Sequence, residues 1–288
     1  MRARIDFRFT PLLLGSLLAA GVAGPALAQT GSPAQALLDD KFVASMGLFV
    51  VQSDVTARLN GQSSTNPDVD FDKTFGKPSD ATRFRADALW RITPTHHMRM
   101  MYFKDDVTRS ATLSQDVKWG DYTFLAGGGV QSERKTSIFE LAYEYAFMRQ
   151  PTYEVAGTFG VHYTDLSLKL SGSGQITDGS GNTTTGVSKS VEGSAPVPLP
   201  VIGLRAGWVV APQWYIDAQA QFFKVNVNGV DGSLSDLRLG ATWMFNPNFG
   251  LGLGYNRFYT KVDVSKDAYN GNVKFGYSGF QAYVTGAF

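Results

Sequence analysis

Hydrophobic and polar residues alternate with a period of two along most of this 288-residue chain. Between positions 236 and 245, for example, Leu237, Leu239, Ala241 and Trp243 take every second position. The same alternation runs through positions 84–92, 139–147, 153–163, 202–210, 214–222 and 249–256. Successive side chains of a β-strand point to opposite faces, so this period predicts strands with one apolar face.

Prolines and tryptophans mark one end of the predicted strands. Four very short connections each contain a proline, and four tryptophans on the apolar face lie within four residues of one: Pro94, Pro151, Pro212, Pro247 and Trp90, Trp208, Trp214, Trp243. A transmembrane barrel needs such an aromatic girdle at the membrane interface, whereas a soluble β-sandwich has no reason to gather tryptophans at one rim. A second girdle at the opposite end is expected from Tyr163, Phe222, Tyr255 and Tyr277.

The strand count predicts a closed barrel. Ten strands are expected, beginning near positions 42, 82, 97, 132, 153, 202, 214, 234, 249 and 273. An even number places both ends of the barrel in the periplasm, with short periplasmic turns and long extracellular loops. The long loops are expected at 60–81, 106–130, 171–197, 228–233 and 265–272, and the Gly-, Ser- and Thr-rich stretch 171–194 is expected to be mobile. The predicted fold is an all-β, antiparallel, up-and-down transmembrane barrel.

The first residues have the character of a secretory signal. Arg2, Arg4 and Arg8 precede an apolar run, and Ala26 and Ala28 form a small-residue cleavage site. We therefore expect a signal peptide at 1–28, a short periplasmic segment at 29–40 and the barrel at 41–288. Removing the signal leaves 23 basic and 24 acidic residues, a balance that argues against nucleic acid as a partner. The chain has no cysteine, which excludes disulfides and thiolate chemistry.

The last predicted strand carries a recognisable pattern. Phe280, Val284 and Phe288 lie on its lipid face, and this ending resembles the C-terminal assembly signal of bacterial outer-membrane β-barrel proteins. The chain, including the stretch from Asp70 to Gly76, is most similar to the small porin-like barrels of proteobacteria, which share no activity-specific motif. The resemblance implies a location in the outer membrane. The expected partners are outer-membrane lipids, lipopolysaccharide, the barrel-assembly machinery and periplasmic chaperones.

Charged side chains are expected inside the barrel. The predicted inward positions hold five basic and six acidic residues: Arg85, Asp87, Arg91, Arg99, Glu140, Glu144, Glu154, Arg205, Asp217, Asp236 and Arg238. Because an isolated buried charge costs several kcal/mol, these residues are expected to pair. One interpretation of these charges is a salt-bridge network that fills the lumen, and the other is a narrow charged path for ions or small solutes. Inward glycines leave room between these charges for such a path, and they equally fit relief of strand curvature: Gly203, Gly207, Gly250, Gly252 and Gly254.

No catalytic site is predicted, and His162 is the best candidate for a catalytic residue. It is expected to point inward near the outer rim, with Asp165 and Ser167 following it on the same strand. Triad members usually come from different segments, so a satisfied histidine is the simpler interpretation. His96 and His97 lie beside a predicted periplasmic turn and are expected to be polar residues at the headgroup level. Their side chains point in opposite directions, which suits neither a shared metal nor a triad.

Metal and cofactor motifs are not found. Asp68, Asp70 and Asp72 alternate in the first outer loop and offer oxygens to Ca²⁺, but the remaining spacing of a calcium loop is missing. The glycines at 250, 252 and 254 lack the spacing and the following helix of a phosphate-binding loop. We therefore expect no metal and no cofactor.

Three functions remain open at this point. The leading one is a non-enzymatic barrel that is structural or weakly conducts small solutes through a narrow charged lumen. The second is a binding protein or adhesin that acts through the outer loops. The third is an outer-membrane hydrolase of lipid or peptide that uses His162.

Overall fold

The computed structural model describes residues 31–288 except 63–64, 77–80, 228–229 and 267–268. The predicted signal peptide, residues 1–28, lies outside the described residues. A 3-10 turn (Pro33–Gln35) and two short helices, α1 (Ala36–Asp39) and α2 (Phe71–Phe75), occur in the described part. None of its helices is long and apolar enough to cross a membrane.

The described ranges contain thirteen strands, three more than expected. In chain order they are β1 (Phe42–Leu59), β2 (Val69–Asp70), β3 (Ala81–Arg91), β4 (His96–Thr112), β5 (Val117–Trp119), β6 (Tyr122–Phe124), β7 (Gly129–Gln150), β8 (Tyr153–Thr177), β9 (Thr183–Ala211), β10 (Trp214–Val227), β11 (Val230–Met244), β12 (Phe249–Lys266) and β13 (Tyr269–Ala287). The ten long strands form the wall, and the short β2, β5 and β6 lie within the long connections. The barrel class is confirmed.

The ten long strands pair antiparallel in a closed ring. Each is hydrogen-bonded to the next long strand along the chain, and β13 returns to pair with β1. Closure is complete to the last residue, since Phe42 and Phe288 exchange backbone N–H···O bonds of 2.7 and 2.8 Å. A closed ring leaves no unpaired edge, as a strand protein in hydrocarbon requires.

The stretch expected to be a mobile loop is instead paired. Strands β8 and β9 pair from Tyr153 opposite Trp208 to Thr177 opposite Thr183, with one register shift between Gly174 and Gln175, so the long loop expected at 171–197 was wrong. β9 therefore begins nineteen residues before the expected position 202. Alternating Ser, Thr and Gly residues satisfy their backbone hydrogen bonds across the ribbon without needing a packed core.

The wall has two levels with opposite chemistry. At the end with the short connections, called the turn end below, apolar side chains face outward; in β1 these are Leu48 and Val50. Toward the opposite end, called the loop end, apolar side chains face inward; in β1 these are Phe49, Val51 and Val55. Only the first level has the outward apolar face that lipid requires.

Candidate functional site

The interior of the barrel at the turn end is a network of charged side chains. The structure places all eleven predicted lumen residues on the inner face, each less than one-tenth exposed at its side chain or over the whole residue. Asp87 joins two arginines from different strands. Arg85 donates to its two carboxylate oxygens over 3.1 and 3.2 Å, and Arg238 donates over 2.6 Å. The Arg85 pair is bidentate and both interactions are charge-assisted, so Asp87 orients the two arginines.

A second group lies on β4, β7, β8 and β9. Arg99 donates to Glu144 over 2.6 Å, and Arg205 lies 4.0 Å from Glu144 and 3.9 Å from Glu154. Arg149, which the sequence analysis missed, donates to Glu154 over 3.2 Å. Each carboxylate is therefore neutralised by arginines on neighbouring strands.

The expectation for His97 was wrong. It does not lie at the headgroup level but inside the barrel, fully buried, with Nδ1 3.9 Å from Glu144 and 3.7 Å from Glu154. Its inward orientation could have been predicted from Arg99, because residues two positions apart on a strand share a face and Arg99 was expected to point inward. His96 points outward and contacts Tyr143.

Residues 33–40 close the turn end of the barrel. Ala34, Leu37 and Leu38 are buried, and this segment packs on Tyr215 and Met244 of the wall. Arg91 donates to the backbone carbonyls of Leu37 and Asp40 over 2.6 and 2.7 Å, and Arg149 donates to that of Leu38 over 2.9 Å. We call residues 33–40 the plug. A short periplasmic segment was expected at 29–40, and in the structure its residues 33–40 are hydrogen-bonded to the barrel.

Little space remains between the plug and the charge network. A cavity of about 40 Å³ lies there, lined by Leu37 of the plug and by Asp217, Arg205 and Arg238 of the wall. The inward glycines do not widen it, because a side chain at Gly252 would overlap Tyr283 and one at Gly207 would overlap Tyr215. Such a cavity holds a few water molecules rather than a continuous water column.

His162 belongs to a separate cluster midway through the lumen. Its Nε2 lies 3.4 Å from Glu140 Oε2 and 3.1 Å from Gln221 Oε1, and its ring stacks on Phe258 at a centroid distance of 6.0 Å. Asp236 completes the cluster. His162 is fully buried, so its expected position near the outer rim was wrong.

The serine and aspartate that follow His162 are not near it. Asp165 and Ser167 have the opposite parity on β8 and point away from the lumen, where Ser167 donates to Glu192 over 2.6 Å. No Ser–His–Asp arrangement forms from these three residues.

Above His162, aromatic rings dominate the interior and surround a buried ion pair between Arg134 and Asp105. Phe49, Phe103, Phe258, Phe275 and Tyr277 pack against one another with ring centroids 4.8 to 6.2 Å apart. The assignment of Tyr277 to the second girdle was therefore wrong. Phe280 faces outward, and a residue three positions earlier on the same strand must face inward.

The connections at the loop end fold over this apolar layer. Phe71 and Phe75 of α2 are buried, and Phe71 contacts the ring of fully buried Trp119 from β5 edge-on at 5.6 Å. Phe124 of β6 lies in the same cluster. These side chains cap the interior at the loop end, so the lumen is closed there as well.

The three aspartates of the first outer loop bind protein groups. Asp68 accepts hydrogen bonds from Lys274 and Asn272, both of 3.1 Å. Asp70 caps α2 by accepting from the backbone N–H of residue 73 over 3.0 Å, and Asp72 accepts from that of residue 55 over 3.3 Å. The carboxylates serve three separate structural contacts rather than one calcium site.

Asp68 has a perturbed acidity. Burial alone would raise its pKa, but the hydrogen bonds from Lys274 and Asn272 and the charges of Lys274 and Arg58 outweigh burial, and the pKa is lowered from its ordinary value. The carboxylate form is therefore favoured in the folded loop.

The residues of the predicted girdle and assembly signal lie on the outer surface. Trp90, Trp208, Trp214 and Trp243 are exposed at the turn end. Phe280, Val284 and Phe288 are exposed on β13, with Phe280 packed beside Tyr255 at 5.2 Å.

One groove lies on the wall at the loop end. It has a volume of about 720 Å³ and crosses β4, β7, β8 and β9. Its polar lining is Ser110, Gln131, Lys169, Ser171, Lys189 and Ser190.

Comparison with known proteins identifies a fold but no activity. No protein-family model matches the chain, and no curated protein matches it. Among solved structures, the outer membrane protease OmpT from Escherichia coli aligns over 87% of this chain and 97% of its own, with a TM-score of 0.56 and 12% identity. The toluene transporter TodX of P. putida aligns over 90% and 93%, with a TM-score of 0.37 and 9% identity. Neisserial surface protein A aligns over 86% and 97%, with a TM-score of 0.28 and 13% identity. At 12% identity, OmpT supports the fold alone. The predicted resemblance to bacterial outer-membrane β-barrel proteins is confirmed.

Proposed function

We propose that this protein is a closed-lumen, non-enzymatic barrel of the outer membrane that supports the envelope and holds a stiff β-wall outside the cell. In this proposal residues 1–28 direct export, the turn end faces the periplasm, and lipid and lipopolysaccharide surround the outward apolar face. The barrel-assembly machinery and periplasmic chaperones are its partners during biogenesis.

The observation that carries the proposal is the filling of the lumen at three levels. The plug covers the turn end, paired arginines and carboxylates fill the next level, and aromatic residues with α2 fill the loop end. A water path through the barrel would have to break an apolar layer built around Phe49, Phe103 and Tyr277. This favours the structural alternative over weak conduction.

The hydrolase alternative gains no support from this geometry. His162 is fully buried between Phe258 and the charged network, so no substrate reaches it without opening the barrel. A serine mechanism also requires the nucleophile within hydrogen-bond reach of the base, and Ser167 faces the opposite side of the wall.

Planar-bilayer conductance tests the proposal. The protein without residues 1–28, refolded in detergent, is added to a bilayer, and its shift in gel mobility on boiling serves as the folding control. We expect folded protein to insert and to give no discrete current steps. Reproducible steps from heat-modifiable protein would refute the closed lumen and would make the lumen arginines candidates for ion selectivity.

A second candidate function is binding at the loop end, and the 720 Å³ groove is the observation that favours it. Its hydroxyl, carboxamide and ammonium groups fit an acidic polysaccharide. Replacing Lys169 and Lys189 by serine should weaken retention on an immobilised acidic polysaccharide, while Lys135→Ser, which changes a lysine on the same wall outside the groove, should not. Equal retention of all three proteins, or no retention of the parent, would remove this candidate.

A further inference from the structure

Four strands bring four polar side chains together in the middle of the lumen. Glu140 of β7 lies directly opposite His162 of β8, and Gln221 of β10 lies directly opposite Asp236 of β11. β9 separates the two pairs. It contributes Gly203 opposite Gln221, where a side chain would overlap the glutamine. The gap at β9 lets the two pairs meet.

The charge of this cluster is not balanced by arginines. In the described part of the chain, no arginine or lysine nitrogen lies within 4.0 Å of Glu140 or Asp236, although both are 1% exposed. Glu144 and Glu154 differ, because Arg99, Arg149 and Arg205 surround them. Two buried carboxylates in one cluster require a compensating cation.

The donor atoms have the spacing of a metal site. One ligand atom each from Glu140, His162 and Asp236 lies within 4.8 Å of the others. His162 Nε2 is 3.4 Å from Glu140 Oε2 and 3.1 Å from Gln221 Oε1. Ligands held at about 2.0–2.2 Å around a tetrahedral ion are roughly 3.3–3.6 Å apart, and the His162–Glu140 separation lies in that range. The 3.1 Å contact of Gln221 is a hydrogen bond that the ion would replace, and the amide nitrogen of Gln221 donates to Glu140 Oε1 over 2.6 Å. We propose that Glu140, His162 and Asp236, with the carboxamide oxygen of Gln221, bind one divalent transition-metal ion of the Zn²⁺ class.

The surroundings support the ligands in the manner expected of a metal site. Asp236 Oδ1 accepts a hydrogen bond of 2.5 Å from Asn256, whose own oxygen accepts one of 2.8 Å from Arg85. The other oxygen, Asp236 Oδ2, is buried and accepts no hydrogen bond among the described residues. One carboxylate oxygen is thus oriented by a neighbour, and the second is left to bind the cation.

Imidazole with carboxylate and carbonyl oxygens suits Zn²⁺, and a dry environment strengthens its attraction to the carboxylates. The ligands come from four strands and span 96 positions, from Glu140 to Asp236, so no short sequence motif contains them. Because the cluster is sealed on both sides, the ion must enter while the barrel folds and must leave slowly afterwards. The slow release of the ion rests on the closed lumen of the proposed function, whereas the ligand set does not, so current steps would refute the closed lumen and metal analysis decides the ligand set separately.

The test is refolding in the presence of metal. The chain without residues 1–28 is unfolded in urea with chelator, desalted, and refolded into detergent with Zn²⁺ or Co²⁺ in slight excess. Folded protein is then treated with EDTA and desalted again. We expect about one Zn²⁺ per heat-modifiable barrel by elemental analysis, and a visible Co²⁺ absorption typical of a four-coordinate site.

Variants locate the ion. His162→Gln and Asp236→Asn should each lower retained metal at least tenfold, whereas His97→Gln, which changes the other buried histidine, should retain it. Absence of retained metal in the parent, or equal retention in His162→Gln, would overturn the proposal and leave a protonated His162 as the compensating cation. If the variants fail to fold, the Co²⁺ spectrum of the parent decides.

Discussion

The apolar interior at the loop end predicts a large cost for truncating Leu168. This side chain is 1% exposed and belongs to the interior cluster, although Val161 and Tyr163, earlier on the same strand, face outward. Leu168→Ala removes three carbons, worth about 0.8 kcal/mol each in transfer free energy, or about 2.4 kcal/mol. The cavity left behind adds to this, so we expect a loss of about 3–4 kcal/mol.

The matched control is its neighbour on the outer side of the same strand. Lys169 faces solvent and forms only a partly exposed ion pair with Glu133 at 3.8 Å, so Lys169→Ala should cost no more than about 1 kcal/mol. The assay is equilibrium unfolding in urea from detergent micelles, followed by gel mobility and tryptophan fluorescence. A cost below about 1 kcal/mol for Leu168→Ala, or equal costs for both variants, would contradict the inward orientation of the apolar residues at this level.

Three other perturbations test separate levels of the barrel. Leu239→Arg places a charge on the lipid-facing wall and should cost about 2–4 kcal/mol if it lies near the midplane, whereas Ser235→Arg, on the same face of the same strand but nearer the loop end, should cost much less in the urea assay. Similar costs at both positions would contradict the assigned lipid boundary. Asp68→Asn should lower stability at neutral pH and flatten the acid side of the stability profile. Because the pKa of Asp68 is lowered in the folded protein, its contribution is complete above the ordinary aspartate range and is lost as the pH falls through the lowered value. An unchanged acid profile would show that its contacts contribute nothing. Arg91→Ala removes two hydrogen bonds to plug carbonyls, worth about 1.5–3 kcal/mol each, and should make residues 33–40 sensitive to protease, which Lys41→Ala should not. Conductance should stay absent in the Arg91 variant, since the loop end remains closed; current steps there would mean that the plug is the only seal.

The membrane part of the fold could be predicted because lipid imposes its own pattern. Hydrocarbon demands an apolar outer face at every second residue, and the interface gathers tryptophans such as Trp90 and Trp243 near the short turns. Both demands are visible in sequence. The two patterns predict which segments are strands and which side of each strand points outward, without knowledge of any contact inside the barrel.

The loop end was harder to predict because alternation continues there with a shifted phase. On β8, Val161 and Tyr163 are the last outward apolar residues, and Leu166 and Leu168 are the first inward ones. The period does not change, but the apolar set moves from odd to even positions. Reading that shift would have assigned Tyr277 correctly, since β13 shows it between residues 277 and 280.

The plug and the His162 cluster depend on contacts between distant parts of the chain. The segment 33–40 is too short for its hydrophobic pattern to predict a packed element. Its partners Arg91 and Arg149 lie far away in the sequence, on β3 and β7. Gln221 is an uncharged residue whose role follows only from its position opposite Asp236. Periodicity predicts which face a residue takes but not its neighbours across the lumen.

The pairing of β1 with β13 has a consequence for how the molecule forms. Ser45 donates to Thr285 over 2.8 Å across 240 positions of sequence, and the whole seam is made of contacts of this range. Contacts between such distant segments are slow to form, because closing the long intervening chain costs conformational entropy before the contacts stabilise the fold. Until the seam closes, two long strands present unpaired backbone groups to their surroundings, and any neighbouring strand competes for them. Closing of this seam therefore decides whether the two edge strands pair with each other or with foreign strands.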